Sequence, residues 1–592
     1  MNPWHEERYL AYKKRIQVAS GKKPPDKIFV GGEVLNVYTG ELLNWDVALS
    51  GDRIAYLKPR GKHLQGKGTF VHDVSGKVLV PGYFDPHAHT DLYYTPWEFV
   101  KTVVTTGTTS LFSDSHDMAN GLGMEGFLKV LEASRTFPVR FFSGVPLASP
   151  PYPVEGEDLY GISNVRRLLK LKGVTVSGSE LTPWVKVIRE DAPLLKKLFT
   201  VHQVTGRLEG HTVGAKKEKL AALVAAGITS CHESITPEDV EERLRLGLYV
   251  MIRQGSIRKE FERLFPFLQR YHPRIMLTPD GLFADEIVEK GYMNYVLQEA
   301  IRYGADPVSL YRMVSLNPAV YFGLESDLGG IAPGRLADFN ILRDIDDPTP
   351  SEVWVGGERI AEGGMWIGRE WGEIKEVPTE RPLEMPPLKP EDFRAFYPTW
   401  FPEGIPVIKV IDHTVTGLCW WKPGGGDEGS ADPERDIFKV ALIHRKGPAS
   451  GMGIGYVYGF GLNKDTHIAS TVAHETHNML VMGTDDREMA AAANEVIKMG
   501  GGIVVRGEGK TLYRWPLSVG GMMSRDSMRD IAEALKAIRS LLQERGTPLP
   551  DPVWTFGFLS FTSILRLRIT ISGVYDVKRG SILYNARKEG KG

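Results

Sequence analysis

The hydrophobic positions along the chain change rhythm at Pro81. Upstream, from about Lys27 to Val80, short β-rich pieces such as IFVGGEVLNVYTGE and DVALSGDRIAYL are broken by Gly, Asn and Asp turns. Downstream, short apolar runs alternate with amphipathic stretches such as EKLAALVAAG and VEERLRLG. The runs VLVPGYFD, TTSLFSD, VRFFSGVP, VTVSGSE, GITSCHES, YVMIRQGS and RIMLTPD all have strand length. A further strand belongs just before EGHTVG, although VHQVTGRL there is only weakly apolar. Eight strands with intervening helices over about 200 residues predict an α/β fold, a closed parallel (β/α)8 barrel of TIM type.

After the barrel, LGGIAPGRLADFNIL and SEVWVGGERIAEGG return to short β pieces. They are expected to pair with the N-terminal strands in a small flanking β-sandwich. The Pro-rich stretch VPTERPLEMPPLKPEDF reads as a linker. The expected division is 1–80 for the N-terminal sandwich strands, 81–325 for the barrel and 326–380 for the return strands. Residues 381–430 form the linker or insert, and 431–592 a C-terminal α+β domain.

Composition narrows the class. A chain of 592 residues needs several cores. Its net charge of -1 gives no basic field to hold nucleic acid or an anionic membrane. Two cysteines, Cys231 and Cys419, exclude a disulfide framework and fit a cytoplasmic setting. The start, MNPWHEERYLAYKKRI, lacks the apolar centre of a signal peptide. No run of about 18 apolar residues is present to span a membrane.

The chemistry lies in where His and acidic residues fall. His87 and His89 follow the first barrel strand as HAH, and positions two apart on a strand point the same way. Glu180 ends the fourth strand, His211 follows the fifth, His232 ends the sixth and Asp280 the eighth. A lone HxH is usually incidental, and a lone terminal Asp is more often a cap. These six, however, share the strand ends where barrel active sites sit. Four imidazoles and two carboxylates suit one or two divalent ions of the Zn, Fe or Mn type.

The order HxH, Glu, His, His, Asp resembles the amidohydrolase superfamily. PGYFDPHAHTD, SDSHDMANGLG, EGHTVGAKKEKLAALVAAGITSCHES and MIRQGS are similar to segments of bacterial and archaeal adenine deaminases. So are LNPAVYFGL, GIGYVYGFGL, STVAHETHNMLVMGTDD and GGGIVV, so the resemblance covers most of the chain. It implies two divalent ions (Mn, Fe or Zn) held by His87, His89, Glu180, His211, His232 and Asp280, with Glu180 bridging. Lys186, in WVKVIRE, is the rival bridge, but it falls beyond the expected strand end. The implied reaction is adenine plus water to hypoxanthine plus ammonia in a cytoplasmic homodimer. The partner is then a small purine-like molecule. Asp280 would take the proton of the attacking water. Glu233, beside His232, would carry a proton to the ring or amine, or else orient His232. Asp114, His116 and Asp117 would line or brace the site. Glu475 and His477, in AHETHN, would reach it from the C-terminal domain as substrate contacts or supports.

Several positions depart from the family pattern. Gln254 stands where the family usually has Glu, and Tyr292 where a His is common. LTPDG leaves Asp280 without a paired acid, and the loop TDLYYTP is short and aromatic. These changes bear on the substrate more than on the metal shell. They predict a pocket that reads a different ring edge or a bulkier ring. The alternatives are an amidohydrolase acting on another aminated heterocycle or cyclic amide, and a non-catalytic relative. The complete ligand set speaks against the last.

Overall fold

Two parallel sheets and one bridge make the barrel wall. The first sheet runs in the order Thr175–Gly178, Arg140–Val145, Thr108–Ser113, Tyr83–Ala88. The second runs Ser230–Cys231, Tyr249–Arg253, Ile275–Thr278. Leu208 closes one gap: it bridges Gly178 in parallel, and its carbonyl accepts from Thr229 N at 3.0 Å. At the other gap Ile275–Thr278 lies beside Tyr83–Ala88, with Thr278 Oγ1 2.7 Å from His87 O. The structure, a computed structural model, describes residues 3–61, 63–152, 158–369, 377, 383–424 and 429–587.

The weak fifth strand has a physical reason. Most of VHQVTGRL continues the helix Ala192–Thr205, which ends at Gly206 in the left-handed conformation (φ 68°). Only the residues around Leu208 are left to fill the strand position. Elsewhere the apolar runs do what their composition dictates. Phe84, Phe112, Phe142, Met251 and Met276, from five strands, pack as one cluster against Tyr321 and Phe322 of the helix Leu316–Phe322. Each such buried side chain contributes on the order of 1.5–3 kcal/mol.

The return strands pair with the N-terminal ones. Phe339–Leu342 runs antiparallel to Val78–Pro81, which also pairs in parallel with Glu33–Asn36. A second sheet, containing Lys27–Val30 and Trp45–Ser50, packs against this one. Phe29 locks the two together, edge-on to both Phe339 and Trp354 at ring distances of 5.0 and 4.9 Å. The helix Pro3–Ala19, absent from the sequence reading, packs on the strand Arg53–Pro59.

The linker expectation needs correction. Ile405–Val410 and Thr416–Trp421, inside the span 381–430, form a hairpin that opens the eight-stranded C-terminal sheet. IPVIKV is β-branched and turns at IDHT, so the stretch is strand rather than linker. Residues 378–382 of the Pro-rich tract and 425–428 lie outside the described residues. The helix Asp486–Met499 covers the sheet. A parallel pairing of Met523 and Ser524 with Tyr93 and Tyr94 stitches the C-terminal domain to the loop after HAH.

Gly144 shows how tightly the wall sets the site. A Cβ there would stand 2.7 Å from the backbone N and Cα of Ser179, next to Glu180. Gly144→Val is therefore expected to destabilise by about 1–3 kcal/mol and to displace Glu180. Thermal unfolding together with metal content checks this; wild-type values for both would refute it.

Candidate metal centre

The expected donors converge at one end of the barrel. His87 Nε2 and His89 Nε2 each lie 3.2 Å from Asp280 Oδ1. His211 Nδ1 is 2.9 Å and His232 Nε2 3.2 Å from Glu180 Oε2, and these two nitrogens are 3.2 Å apart. Donor atoms of His87, His232 and Asp280 lie within 4.8 Å of one another, as do those of Glu180, His211 and His232. The set of His87, His89 and Glu180 meets the same limit. All six residues are buried.

The backbone is shaped to deliver them. Asp280 stands in the left-handed region (φ 50°), a conformation costing on the order of 1–3 kcal/mol for such a residue. Its N–H donates to Thr278 Oγ1 at 3.0 Å, and that hydroxyl lies 2.7 Å from Asp85 Oδ1. Asp85 in turn accepts from His87 N at 3.0 Å and from Tyr292 OH at 2.6 Å. Asp114 accepts from Glu180 N and sits 3.1 Å from His116 Nδ1, which is 3.4 Å from Glu180 Oε1.

The charge balance asks for cations. Burial disfavours a protonated His87, yet Asp280 raises it to about 10. Burial likewise opposes His211, which Glu233 and Glu180 raise to about 9. Burial pushes Glu180 and Asp280 up, but the neighbouring imidazoles hold both well below the usual carboxylate range. His87 Nδ1, His211 Nε2 and His232 Nδ1 have no hydrogen-bond partner. Buried acids this close to imidazoles need either protons or metal ions, and the donor set fits divalent metal.

A cavity of about 680 Å³ opens on these groups. Its lining joins Glu180, His211, Glu233 and Asp280 of the barrel to Trp554, Phe558 and Phe561 of the C-terminal domain. That volume lies in the range of small-molecule sites. Aromatic residues were expected in TDLYYTP, but the structure places them elsewhere. Tyr93 stacks on Trp515 at 5.5 Å, and Tyr94 OH donates to Leu282 O at 3.0 Å, so only Leu92 of that loop reaches the cavity. Tyr292 props Asp85 behind His87, and Gln254 Nε2 donates to Glu299 Oε2 at 3.4 Å; neither lines the cavity. Lys186 donates to Pro151 O at 3.1 Å and has no place among the close donors.

Two residues escaped the sequence reading. Arg253 pairs with Glu233 at 2.6 Å, Asp280 at 3.0 Å and Glu260 at 2.8 Å. Burial works against ionised Glu233, but Arg253 and His211 bring it down to about 2. Arg253 ends the strand of MIRQGS, beside the Gln254 that drew attention. His474 lines the cavity, with Nδ1 2.7 Å from Asp117 Oδ2 and its ring stacked on Phe558 at 4.5 Å. Asp117 Oδ1 also faces His477 Nε2 at 3.2 Å, and Glu475 Oε1 accepts from Thr182 at 3.0 Å. AHETHN was the signal, but its first His carried no spacing that marked it.

Two outcomes follow. Arg253→Met would strand three buried carboxylates, so the metal-free protein should lose about 3–5 kcal/mol. Denaturant unfolding measures this, and an unchanged midpoint would refute it. Metal must also displace protons from His87 and His211, whose raised values of about 10 and 9 leave them protonated at neutral pH. Apparent affinity should therefore strengthen with each unit of pH until those values are passed. Calorimetry in buffers of differing ionisation enthalpy should register proton release. Affinity independent of pH between 6 and 9 would contradict it.

Comparison with known proteins agrees with this geometry. Residues 78–360 match the amidohydrolase family, and residues 423–581 match the adenine deaminase C-terminal domain. An adenine deaminase of Cenarchaeum symbiosum (strain A) is 35% identical, with 96% of this chain and 93% of that protein covered. Adenine deaminases of Moorella thermoacetica and Desulfatibacillum aliphaticivorans are each 33% identical over 95% of this chain, with 96% and 97% of those proteins covered. With such relatives spanning nearly its whole length, the chain belongs to the adenine deaminase family of amidohydrolases.

Proposed function

We propose that the chain hydrolyses adenine to hypoxanthine and ammonia with two divalent ions of the manganese, iron or zinc type. The observation that carries this reading is the meeting of six buried metal-type donors with an aromatic-walled cavity. His87, His89 and Asp280 would hold one ion and His211 and His232 the other, with Glu180 between them. When bound, such ions supply a water acidic enough to act as nucleophile at neutral pH.

The protein's own groups do the rest. Trp554, Phe558 and Phe561 offer faces for a planar base. Asp280 accepts the proton of the attacking water. Glu233, kept ionised by Arg253, takes the water's second proton and passes it to the ring nitrogen or the departing amine, and the proton held by Asp280 goes to the other of the two. Asp114, His116 and Asp117 brace Glu180 and the C-terminal residues Glu475 and His477. The roof from the C-terminal domain shields the reacting carbon from bulk water.

The sequence departures weigh less once located. Gln254, Tyr292 and the TDLYYTP tyrosines lie away from the cavity, which favours adenine itself over another heterocycle. None of the described helices is long and apolar enough to cross a membrane. A cytoplasmic homodimer acting on a free small molecule completes the reading.

Metal-replete protein is expected to release ammonia from adenine with kcat/KM above about 10⁴ M⁻¹s⁻¹. No ammonia from adenine or from related aminated rings, with metal bound, would defeat the reading. His87→Ala and His211→Ala should each lose metal and activity, as read by elemental analysis. Glu233→Gln should keep its metal and lower kcat by about 10²–10⁴-fold; unchanged kcat would remove Glu233 from the proton path.

A further inference from the structure

A second group of metal-type donors lies at the seam between the barrel and the C-terminal domain. His116 and Asp117 open the barrel helix His116–Ala133. His474 and Glu475 come from the turn after the C-terminal strand Thr466–Ser470. His474 Nδ1 is 2.7 Å from Asp117 Oδ2. His116 Nε2 is 3.9 Å from Asp117 Oδ2 and 3.7 Å from Glu475 Oε1. Donors of His116, Asp117 and His474 all lie within 4.8 Å of one another. Ligands on one tetrahedral ion, at about 2.1 Å from it, stand about 3.4 Å apart; the observed separations bracket that spacing.

Two independent observations point to an occupant. His116 Nε2 and Glu475 Oε2 are buried and have no hydrogen-bond partner. The seam also buries three acids that only imidazoles answer. Asp91, Asp117 and Glu475 are all buried there, and no Lys or Arg side chain pairs with any of the three among the described ion pairs. Asp117 already carries an orienting partner, His477 Nε2 at 3.2 Å, of the kind that supports ligating carboxylates.

We propose that His116, Asp117, His474 and Glu475 bind a further divalent cation at this seam, separate from the barrel-mouth pair. Two ligands come from each domain, so the ion clamps the roof to the barrel. It also fixes His116. A metal on Nε2 requires the lone pair there and leaves the proton on Nδ1, which then donates toward Asp114 and Glu180. The seam ion thereby orients a carboxylate of the barrel-mouth centre. The proposal stands apart from the deaminase reading, since it rests on other donor atoms.

The full chain, loaded with zinc and freed of excess metal, provides the test. Elemental analysis should give about three ions per chain, and His474→Ala combined with Glu475→Gln about two. Anomalous scattering from zinc-loaded wild-type crystals should place a peak about 2.0–2.2 Å from His116 Nε2 and from an Asp117 oxygen. This second measurement needs no variant to fold. Two ions in the wild type and no peak at the seam would overturn the proposal and leave the barrel-mouth centre intact. A seam peak that persists in the double variant would overturn the ligand assignment.

Discussion

Buried acid at the barrel mouth is the constraint on which the rest of the structure turns. Glu180, Glu233, Asp280 and Asp114 are all withdrawn from water within one small region. Carboxylates cannot be buried there uncompensated, because desolvating each costs several kcal/mol. The fold answers with Arg253 on one side and four imidazoles on the other. Protons satisfy the cluster only in part, since burial holds His232 down even while the acids raise His87 and His211. Divalent ions satisfy both at once: they neutralise the acids and take up the imidazole lone pairs. The left-handed backbone at Asp280 and the Tyr292–Asp85–Thr278 support exist to hold this arrangement in place.

The second domain makes the centre usable. The barrel alone would present its donors to bulk solvent. Trp554, Phe558 and Phe561 narrow that open end into a cavity with one aromatic wall. Partial burial strengthens the electrostatic interactions inside. The stitch of Met523 and Ser524 to Tyr93 and Tyr94 anchors this roof four residues beyond the HAH ligands. The tyrosines of TDLYYTP therefore serve the joint between domains, and the aromatic wall of the cavity comes from a segment more than four hundred residues later.

Local patterns were legible in the sequence, and relations between distant segments were not. HAH could be read because strand geometry sends positions two apart to the same side. Glu180, His232 and Asp280 could be read as candidate donors because each ends its own apolar run, whereas His211 could be read only from EGHTVG. The fifth strand was obscure because its residues are shared with a helix, leaving Leu208 to carry the bridge. Arg253 was missed because nothing in its spacing relates it to Glu233, Glu260 and Asp280; only the closed barrel makes them neighbours. His474 was missed for the same reason, since its partner Asp117 lies in another domain. Gln254 and Tyr292 looked like pocket residues because the family comparison marks change and not direction. Their side chains turn toward Glu299 and Asp85.

The order of the chain gives the roof a temporal meaning. The barrel's candidate metal donors end at Asp280, whereas the cavity is finished by side chains as late as Tyr575 and Lys578. On the ribosome, the barrel emerges and can fold domain by domain well before its cover exists. For that interval a nascent chain carries an uncovered cluster of acids and imidazoles, open to whichever cation is abundant in its surroundings. Metal taken up in that interval would reflect supply at that moment as well as the preferences of the donors.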